Sequence, residues 1–238
     1  MKKGILLTLI IISLGFLYSN AFAIPALQLY IEGSTYDPVT ESWTIVTSDP
    51  FILWVLGDVE KYGTIYDVKL AAAFSTSESG TITITPTTAT SGLLPTPGDT
   101  STPTQPTYIT SGSDTPPPTG DGSHLPSHGE YGPGISWNLY SLGDFTLKDS
   151  PIGDFINSFP TEFPDTGQIN AYLIHIEGYS TVHFDAFDHI DTKNPGVRYV
   201  FAPFSHDATT VVPEPSTIIL LGSGLLGAGI YRWKRMRK

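Results

Sequence analysis

Short runs in which apolar and polar residues alternate are the feature that most constrains the fold of this chain. Thr81–Thr85 alternates strictly and is β-branched throughout, which predicts an edge or half-buried strand, and Ile169–Glu177 alternates over a longer stretch. Phe51–Leu56 is apolar on both faces, which predicts a central strand. Gly and Pro, 23 and 20 of the 238 residues, punctuate such runs, and helical periodicity is scarce. The sequence therefore predicts a mainly-β fold, an antiparallel β-sandwich of jelly-roll-like form.

Residues 24–211 form the predicted sandwich domain, and one segment inside it has a different composition. Residues 86–122 are mostly Thr, Pro, Ser and Gly, with few apolar side chains that could build a core. This composition predicts a long flexible loop of polyproline II character, with O-linked glycosylation as the sharper alternative. Further on, Gly178 lies between two alternating runs, which predicts a hairpin between residues 169–177 and 180–187.

The N-terminus has the pattern of a secretory signal peptide. Lys2 and Lys3 precede an apolar run at Ile5–Tyr18, and Ala21 and Ala23 then form a small-x-small cleavage site. The run is shorter than the roughly 20 residues that span a bilayer, which disfavours an uncleaved anchor. Residues 1–23 are therefore predicted to be removed by signal peptidase, leaving an exported chain that starts at Ile24.

The exported segment is strongly acidic and contains no cysteine. Between residues 24 and 212 the chain has five basic residues and 22 acidic ones, a net charge of −17. Such a field repels phosphate backbones and attracts cations, so nucleic-acid binding is excluded. The absence of Cys excludes disulfides, thiolate metal sites and cysteine nucleophiles, so a core, a sheet or bound ions must stabilise the domain.

The C-terminus combines three features in a fixed order. Val212, Pro213, Glu214 and Pro215 precede a glycine-rich apolar run at residues 217–231, which predicts a transmembrane helix on the short side for spanning. Basic residues at 232–238 then predict a cytoplasmic end, since positive charge stays inside. The members of this basic cluster are Arg232, Lys234, Arg235, Arg237 and Lys238.

The order of these features at residues 212–238 resembles the PEP-CTERM sorting signal of Gram-negative bacteria. The resemblance implies a precursor that crosses the inner membrane and is held there. It also implies that exosortase, a membrane enzyme, then acts near Pro213–Pro215 and delivers the protein to the cell surface or extracellular matrix. The remaining domain is similar to the choice-of-anchor N group of exported proteins in three stretches, for which the resemblance implies no activity. These are Leu27–Tyr36, Leu125–Tyr131 and Ala202–Ala208.

Polar clusters in the second half of the domain give three candidate sites of different chemistry, and the residue pattern argues against two of them. Asp185, Asp188 and Asp191 are predicted to meet where a strand ends in a turn, and their hard oxygen ligands suit calcium. A zinc site at His124 and His128 is disfavoured because Pro126 argues against a helix there. The adjacent residues 205–207 contain the Ser, His and Asp of a nucleophilic triad, but neighbours in sequence cannot form that geometry.

These observations favour a non-enzymatic protein with a structural or adhesive role in exopolysaccharide or biofilm. Exopolysaccharide is then the expected partner besides signal peptidase and exosortase. A calcium-dependent carbohydrate-binding module is the alternative, and a secreted hydrolase is a third interpretation. No cofactor is required by the first of these, whereas calcium is required by the second.

Overall fold

A computed structural model describes seven stretches of the chain. These are residues 24–90, 92–94, 103–126, 130–156, 161–191, 197–202 and 207–213. The predicted signal peptide, the predicted transmembrane helix and the basic cluster lie outside these stretches. None of the helical residues within them forms a segment with the length and hydropathy that crossing a bilayer requires.

The described residues form thirteen strands and one short helix, which confirms that the chain is mainly β. In chain order the elements are β1 (Leu27–Ile31), β2 (Thr35–Asp37), β3 (Ser42–Val46), β4 (Phe51–Gly57), α1 (Val59–Tyr62), β5 (Ile65–Ser75), β6 (Thr81–Thr87), β7 (Thr107–Ser113), β8 (Ile135–Phe145), β9 (Ser150–Ile152), β10 (Asp165–Glu177), β11 (Thr181–Asp191), β12 (Val197–Phe201) and β13 (Asp207–Val211).

These strands assemble into two sheets. The five-stranded sheet has the order β1-β4-β10-β6, with β9 paired to β10, and all its pairs are antiparallel. The eight-stranded sheet has the order β2-β3-β13-β11-β5-β8-β7, with β12 paired to β11. One pair in the larger sheet, β3 with β13, is parallel, so this sheet is mixed rather than purely antiparallel.

A single apolar core lies between the two sheets, in a sandwich-like arrangement. It combines Leu53 and Tyr172 of the five-stranded sheet with Leu70, Phe145 and Phe184 of the eight-stranded sheet, and all five side chains are fully buried. Burial of apolar side chains is the main favourable contribution to folding, and no disulfide supplements it in this chain. That the sandwich has a jelly-roll-like form stays a prediction.

The pattern of β4 shows why its sequence predicted a central strand. Phe51, Leu53 and Val55 face the core between the sheets, whereas Trp54 and Leu56 belong to a second cluster on the opposite face. Because both faces are covered, apolar residues occur at consecutive positions. Strand β6, which alternates, lies at the edge of the same sheet, as its pattern also predicted.

The predicted hairpin around Gly178 is wrong. Strand β10 belongs to the five-stranded sheet, whereas β11 belongs to the eight-stranded sheet, so the chain crosses from one sheet to the other. Gly178 has a φ of +79°, and a Cβ there would overlap the carbonyl oxygen of Ser79. Glycine is therefore required both by the backbone conformation and by the close approach of a second chain segment.

The prediction of a structureless segment at residues 86–122 is wrong for β7. This strand pairs with β8 at the edge of the eight-stranded sheet, and most of its side chains are exposed or half-buried. It therefore adds backbone hydrogen bonds rather than core volume. One exception is Gly112, where the indole of Trp137 lies directly over the backbone in the space that a Cβ would occupy.

Candidate functional site

The segment that contains the predicted processing site begins where β13 ends. Val211 accepts a hydrogen bond from the Thr47 amide (2.9 Å), and the Val212 amide donates to the Ser180 carbonyl (2.8 Å). Strand β13 itself lies between β3 and β11 in the interior of its sheet. Val212 and Pro213 are described, whereas Glu214 and Pro215 lie outside the described residues. The chain therefore reaches this motif directly from a strand that is hydrogen-bonded on both sides.

An open cleft of about 810 Å³ adjoins this exit point. Val212 and Pro213 line one part of it, and Glu78, His175 and Glu177 contribute titratable side chains. Glu78 is held in place by the amide and hydroxyl of Ser180, which donate to its two carboxylate oxygens at 3.0 and 2.6 Å. These hydrogen bonds lower the pKa of Glu78, so the cleft carries negative charge at neutral pH.

The predicted calcium set of Asp185, Asp188 and Asp191 is corrected by the course of β11. The strand continues through Asp191, so these residues do not lie on a turn after its end. Asp185 and Asp188 have different partners, as set out below, and the Asp191 side chain lies outside what the structure describes. Sequence reasoning therefore grouped Asp185 with residues that are not its partners in the fold.

Asp185 belongs to a cluster, called here the His–Asp cluster, that consists of His183, Asp185, Asp207 and Tyr131. His183 Nε2 lies 3.4 Å from Asp185 Oδ2 and 3.8 Å from Asp207 Oδ2. The hydroxyl of Tyr131 donates a hydrogen bond to Asp185 Oδ2. Each of the four residues is at most 6% exposed. Among the described residues, His183, Asp185 and Asp207 are the group whose ligand atoms could hold a metal ion, since those atoms lie within 4.8 Å of one another.

Strand register brings these residues together. His183 and Asp185 lie two positions apart on β11, so both point away from the core between the sheets. In the pairing of β11 with β13, Phe184 is opposite Ala208 in the last pair of the ladder, which places Asp207 one position further on and next to Asp185. The other ring nitrogen, His183 Nδ1, lies 2.8 Å from the hydroxyl of Thr209 on the same β13.

An apolar layer covers this outer face of the eight-stranded sheet. Ala71 and Ala73 of β5 lie opposite Asp185 and His183. Both alanines belong to a cluster of buried residues that also contains Leu125, Tyr131 and Trp137. Small side chains on β5 leave room for Tyr131 to reach the carboxylate. The His–Asp cluster is consequently enclosed although it lies outside the main core.

Enclosure changes the protonation of the His–Asp cluster. Burial, followed by the charge of Asp185, raises the pKa of Asp207 well above its ordinary value. The same two causes raise the pKa of Tyr131, which stays a neutral hydrogen-bond donor. Two buried carboxylates side by side disfavour the doubly ionised form, so the site favours either a bound proton or a bound cation.

Asp188 belongs to a second group, called here the lysine cluster, that consists of Lys69, Asp67, Asp188 and His189. Lys69 Nζ lies 2.7 Å from Asp67 Oδ2 and 3.3 Å from Asp188 Oδ2. Asp67 has a φ of +55° at an irregularity of β5, which turns its carboxylate toward the lysine. His189 Nδ1 lies 2.5 Å from the remaining Asp188 oxygen.

Burial and ion pairing act on this group in opposite directions. Burial raises the pKa of Asp188 to about 6, although Lys69 and His189 oppose that shift. Burial alone lowers the pKa of Lys69, but hydrogen bonding to Asp67 and the charge of Asp188 outweigh it, and the net direction is upward. Lys69 also pairs with the exposed Asp67, so its ammonium has a second carboxylate partner besides Asp188.

The remaining predicted site residues have separate positions. His124 Nδ1 lies 2.6 Å from the Pro116 carbonyl, while His128 lies outside the described residues. Of residues 205–207, Asp207 is in the His–Asp cluster, and the other two are likewise outside the described stretches. The participation of Asp207, His183 and Tyr131 was missed. The spacing of His183 and Asp185 could have indicated two members of the cluster, because alternate residues of a strand share a face.

Comparison with known protein families identifies the C-terminal segment. Residues 211–235 match the PEP-CTERM protein-sorting motif, beginning at the last residue of β13. No curated protein and no solved structure matches the chain. The resemblance of the domain to the choice-of-anchor N group therefore stays a prediction. The motif match indicates an exported, membrane-processed protein that is sorted by exosortase.

Proposed function

We propose that this chain is a non-enzymatic structural or adhesive protein of the cell surface or extracellular matrix of a Gram-negative bacterium. The observation that carries the proposal is the sorting motif at residues 211–235. Exosortase sorting delivers the chain to the outside, where its acidic domain acts in exopolysaccharide or biofilm. Membrane attachment through residues 217–231 is then a temporary step.

The position of the motif supports this sequence of events. Cleavage after β13 leaves every strand of the described domain intact, because Val211 is the last strand residue. The acidic cleft at the exit of Val212 and Pro213 lies beside the segment that is processed. Removal of the basic cluster at 232–238 also leaves the released domain strongly negative.

Two properties of the domain support a role without catalysis. The histidine and the carboxylates that converge in the His–Asp cluster are enclosed by Tyr131 and its apolar neighbours, which leaves them inaccessible to a polymeric substrate. The net charge of −17 between residues 24 and 212 favours cation-bridged association with acidic polysaccharide.

Replacing Pro213, Glu214 and Pro215 by alanine in the native host tests the sorting step. We expect the full-length precursor to accumulate in the membrane fraction and the shorter, released form to disappear. Replacing Asp49 and Pro50, an exposed acid–proline pair in a turn, by alanine is the matched control and should leave release unchanged. Release of the motif variant at the wild-type rate, or unchanged processing in a strain without exosortase, contradicts the proposal.

Deleting the gene tests the matrix role separately. We expect a deletion strain to form less biofilm and the wild-type chain to restore it, whereas the motif variant should not. The purified, processed protein should also co-sediment with the exopolysaccharide of its host without shortening it. Depolymerisation of that polysaccharide by the purified protein would overturn the non-enzymatic assignment while leaving the sorting result intact.

A further inference from the structure

The His–Asp cluster has the spacing of a metal site. Zinc is bound by His nitrogen and by carboxylate oxygen at about 2.0–2.2 Å, usually in tetrahedral geometry. At a tetrahedral angle, two such bonds place their ligand atoms about 3.3–3.6 Å apart. The observed separations from His183 Nε2, 3.4 Å to Asp185 and 3.8 Å to Asp207, are close to these values.

The second nitrogen of His183 provides an independent indication. A metal-binding histidine almost always uses its other ring nitrogen to contact an oxygen, which fixes the ring orientation. His183 Nδ1 lies 2.8 Å from Thr209 Oγ1, so Nε2 is directed at the two carboxylates. On the other side of the cluster, the Tyr131 hydroxyl donates to Asp185, which orients that carboxylate in the same manner.

The kind of ligand decides between metals. Calcium takes six to eight oxygen ligands, typically from carboxylates, carbonyls and water. An enclosed set of one imidazole and two carboxylates suits zinc and similar first-row divalent ions instead. The two carboxylates have a combined charge of −2 when ionised, which matches the charge of such an ion.

We propose that His183, Asp185 and Asp207 bind one divalent transition-metal ion of the zinc type, with water as a fourth ligand. Two ligands belong to β11 and the third to β13, so the ion fastens the last strand before the sorting segment to its neighbour. An ion that binds only the folded state stabilises it by an amount that grows with the logarithm of the ion concentration above Kd. In an exported domain without cysteine, it takes the place that a disulfide occupies elsewhere.

Metal content and zinc titration of the full chain test this proposal. We expect about one zinc per chain after purification in detergent, and a higher melting temperature with Zn²⁺ than with a chelator. Asp207→Asn should weaken zinc binding by at least about 100-fold, since an inner ligand contributes more than the 10–100-fold of an outer partner. Asp58→Asn, which alters another buried aspartate outside the cluster, is the matched control and should bind zinc normally.

A milder variant keeps the test decisive where Asp207→Asn fails to fold. Thr209→Val removes the hydroxyl beside His183 Nδ1 and should reduce zinc affinity by about 10–100-fold, while Thr181→Val, at an exposed position of β11, should not. Cobalt(II) should give the visible absorption of a tetrahedral ion in the wild-type chain. No cobalt spectrum and no melting shift with zinc would overturn the proposal, and so would a melting shift with Ca²⁺ alone.

Discussion

Strand β11 presents two buried aspartates in two different electrostatic settings. Asp188 lies 3.3 Å from the ammonium of Lys69, so the chain itself supplies the counter-charge. Asp185 instead lies beside Asp207 of the neighbouring strand β13, and the imidazole of His183 lies 3.4 Å from the first carboxylate and 3.8 Å from the second. The lysine cluster thus contains a permanent cation, whereas the His–Asp cluster contains a group that binds a proton or a metal. Similar burial therefore gives a fixed ion pair at Asp188, whereas at Asp185 it gives a pair of carboxylates that favours a bound proton or cation.

The difference has its origin in the neighbouring strands. The irregularity of β5 at Asp67 brings the Asp67 carboxylate to Lys69, which itself pairs with Phe187 of β11. Two and four positions beyond Lys69 on β5, the residues opposite Asp185 and His183 are alanines, which supply no charge but leave room for Tyr131. One strand therefore determines the character of both clusters.

Replacing Lys69 by methionine has the largest expected effect on this comparison. The change keeps most of the side-chain volume but leaves the Asp188 carboxylate buried without its ammonium partner. Removing one member of a buried ion pair costs about 3–5 kcal/mol. We expect the free energy of unfolding at pH 7, measured by urea denaturation, to fall by about that amount.

Two companion variants separate the ion pair from the loss of a charge. Lys148→Met breaks an exposed pair with Glu60 (2.9 Å) and should change stability little. Lys69→Met combined with Asp188→Asn removes both buried charges and should recover part of the loss. Equal destabilisation by Lys69→Met and Lys148→Met would show that the lysine cluster does not depend on its buried cation.

Tyr131→Phe is expected to have the next largest effect, on the other cluster. It deletes the hydroxyl that donates to Asp185 and leaves the ring in its apolar layer. A hydrogen bond to a charged group contributes about 1.5–3 kcal/mol, so the metal-free protein should lose about 2 kcal/mol in urea denaturation. Tyr179→Phe, which removes a hydroxyl bonded to the Gly80 carbonyl, serves as the neutral comparison and should cost less. A larger loss in Tyr179→Phe would contradict a hydrogen bond from Tyr131 to an ionised Asp185.

The pH dependence of stability should be partly due to Asp188. Burial raises its pKa from 3.8 to about 6, so between these pH values the folded state holds a proton that the unfolded state has released. Metal-free protein should therefore lose stability as pH rises from about 4 to about 6, by about 1–3 kcal/mol from this group, since one pKa unit corresponds to about 1.4 kcal/mol. Asp188→Asn should flatten the dependence by that amount in urea denaturation at four pH values. Zinc stabilisation should have the opposite sign and grow with pH, because the ligands must be deprotonated.

The sequence predicted those parts of the fold that depend on local pattern. Phe51–Leu56 was correctly interpreted as central and Thr81–Thr85 as an edge or half-buried strand, because burial on one face or two determines the spacing of apolar residues. The same reasoning failed at Gly178, because a period of two does not distinguish a hairpin from a crossing between sheets. It failed at β7 because that edge strand is held by backbone pairing with β8, which composition does not record.

The candidate site was predictable only in part, for a related reason. Asp185 was identified from a cluster of acidic residues along one strand. Asp207 is 22 positions away, and its place beside Asp185 depends on the insertion of β13 between β3 and β11. Pairing of distant strands is a property of topology, and no local spacing encodes it. The sorting motif, by contrast, is recognised as a contiguous pattern and was predicted correctly.

Thr209→Val has the smallest expected effect on stability and gives the finest comparison of the two clusters. In the metal-free protein it removes one hydrogen-bonding contact of His183, at 2.8 Å, which contributes about 1 kcal/mol to the free energy of unfolding. With zinc present the loss should be larger, because the weaker binding lowers the stabilisation that the ion provides. The lysine cluster should not respond, so Lys69→Met and Thr209→Val should be additive within about 0.5 kcal/mol in a double-mutant cycle. Strong coupling between them would show that the two ends of β11 act as one electrostatic unit rather than two.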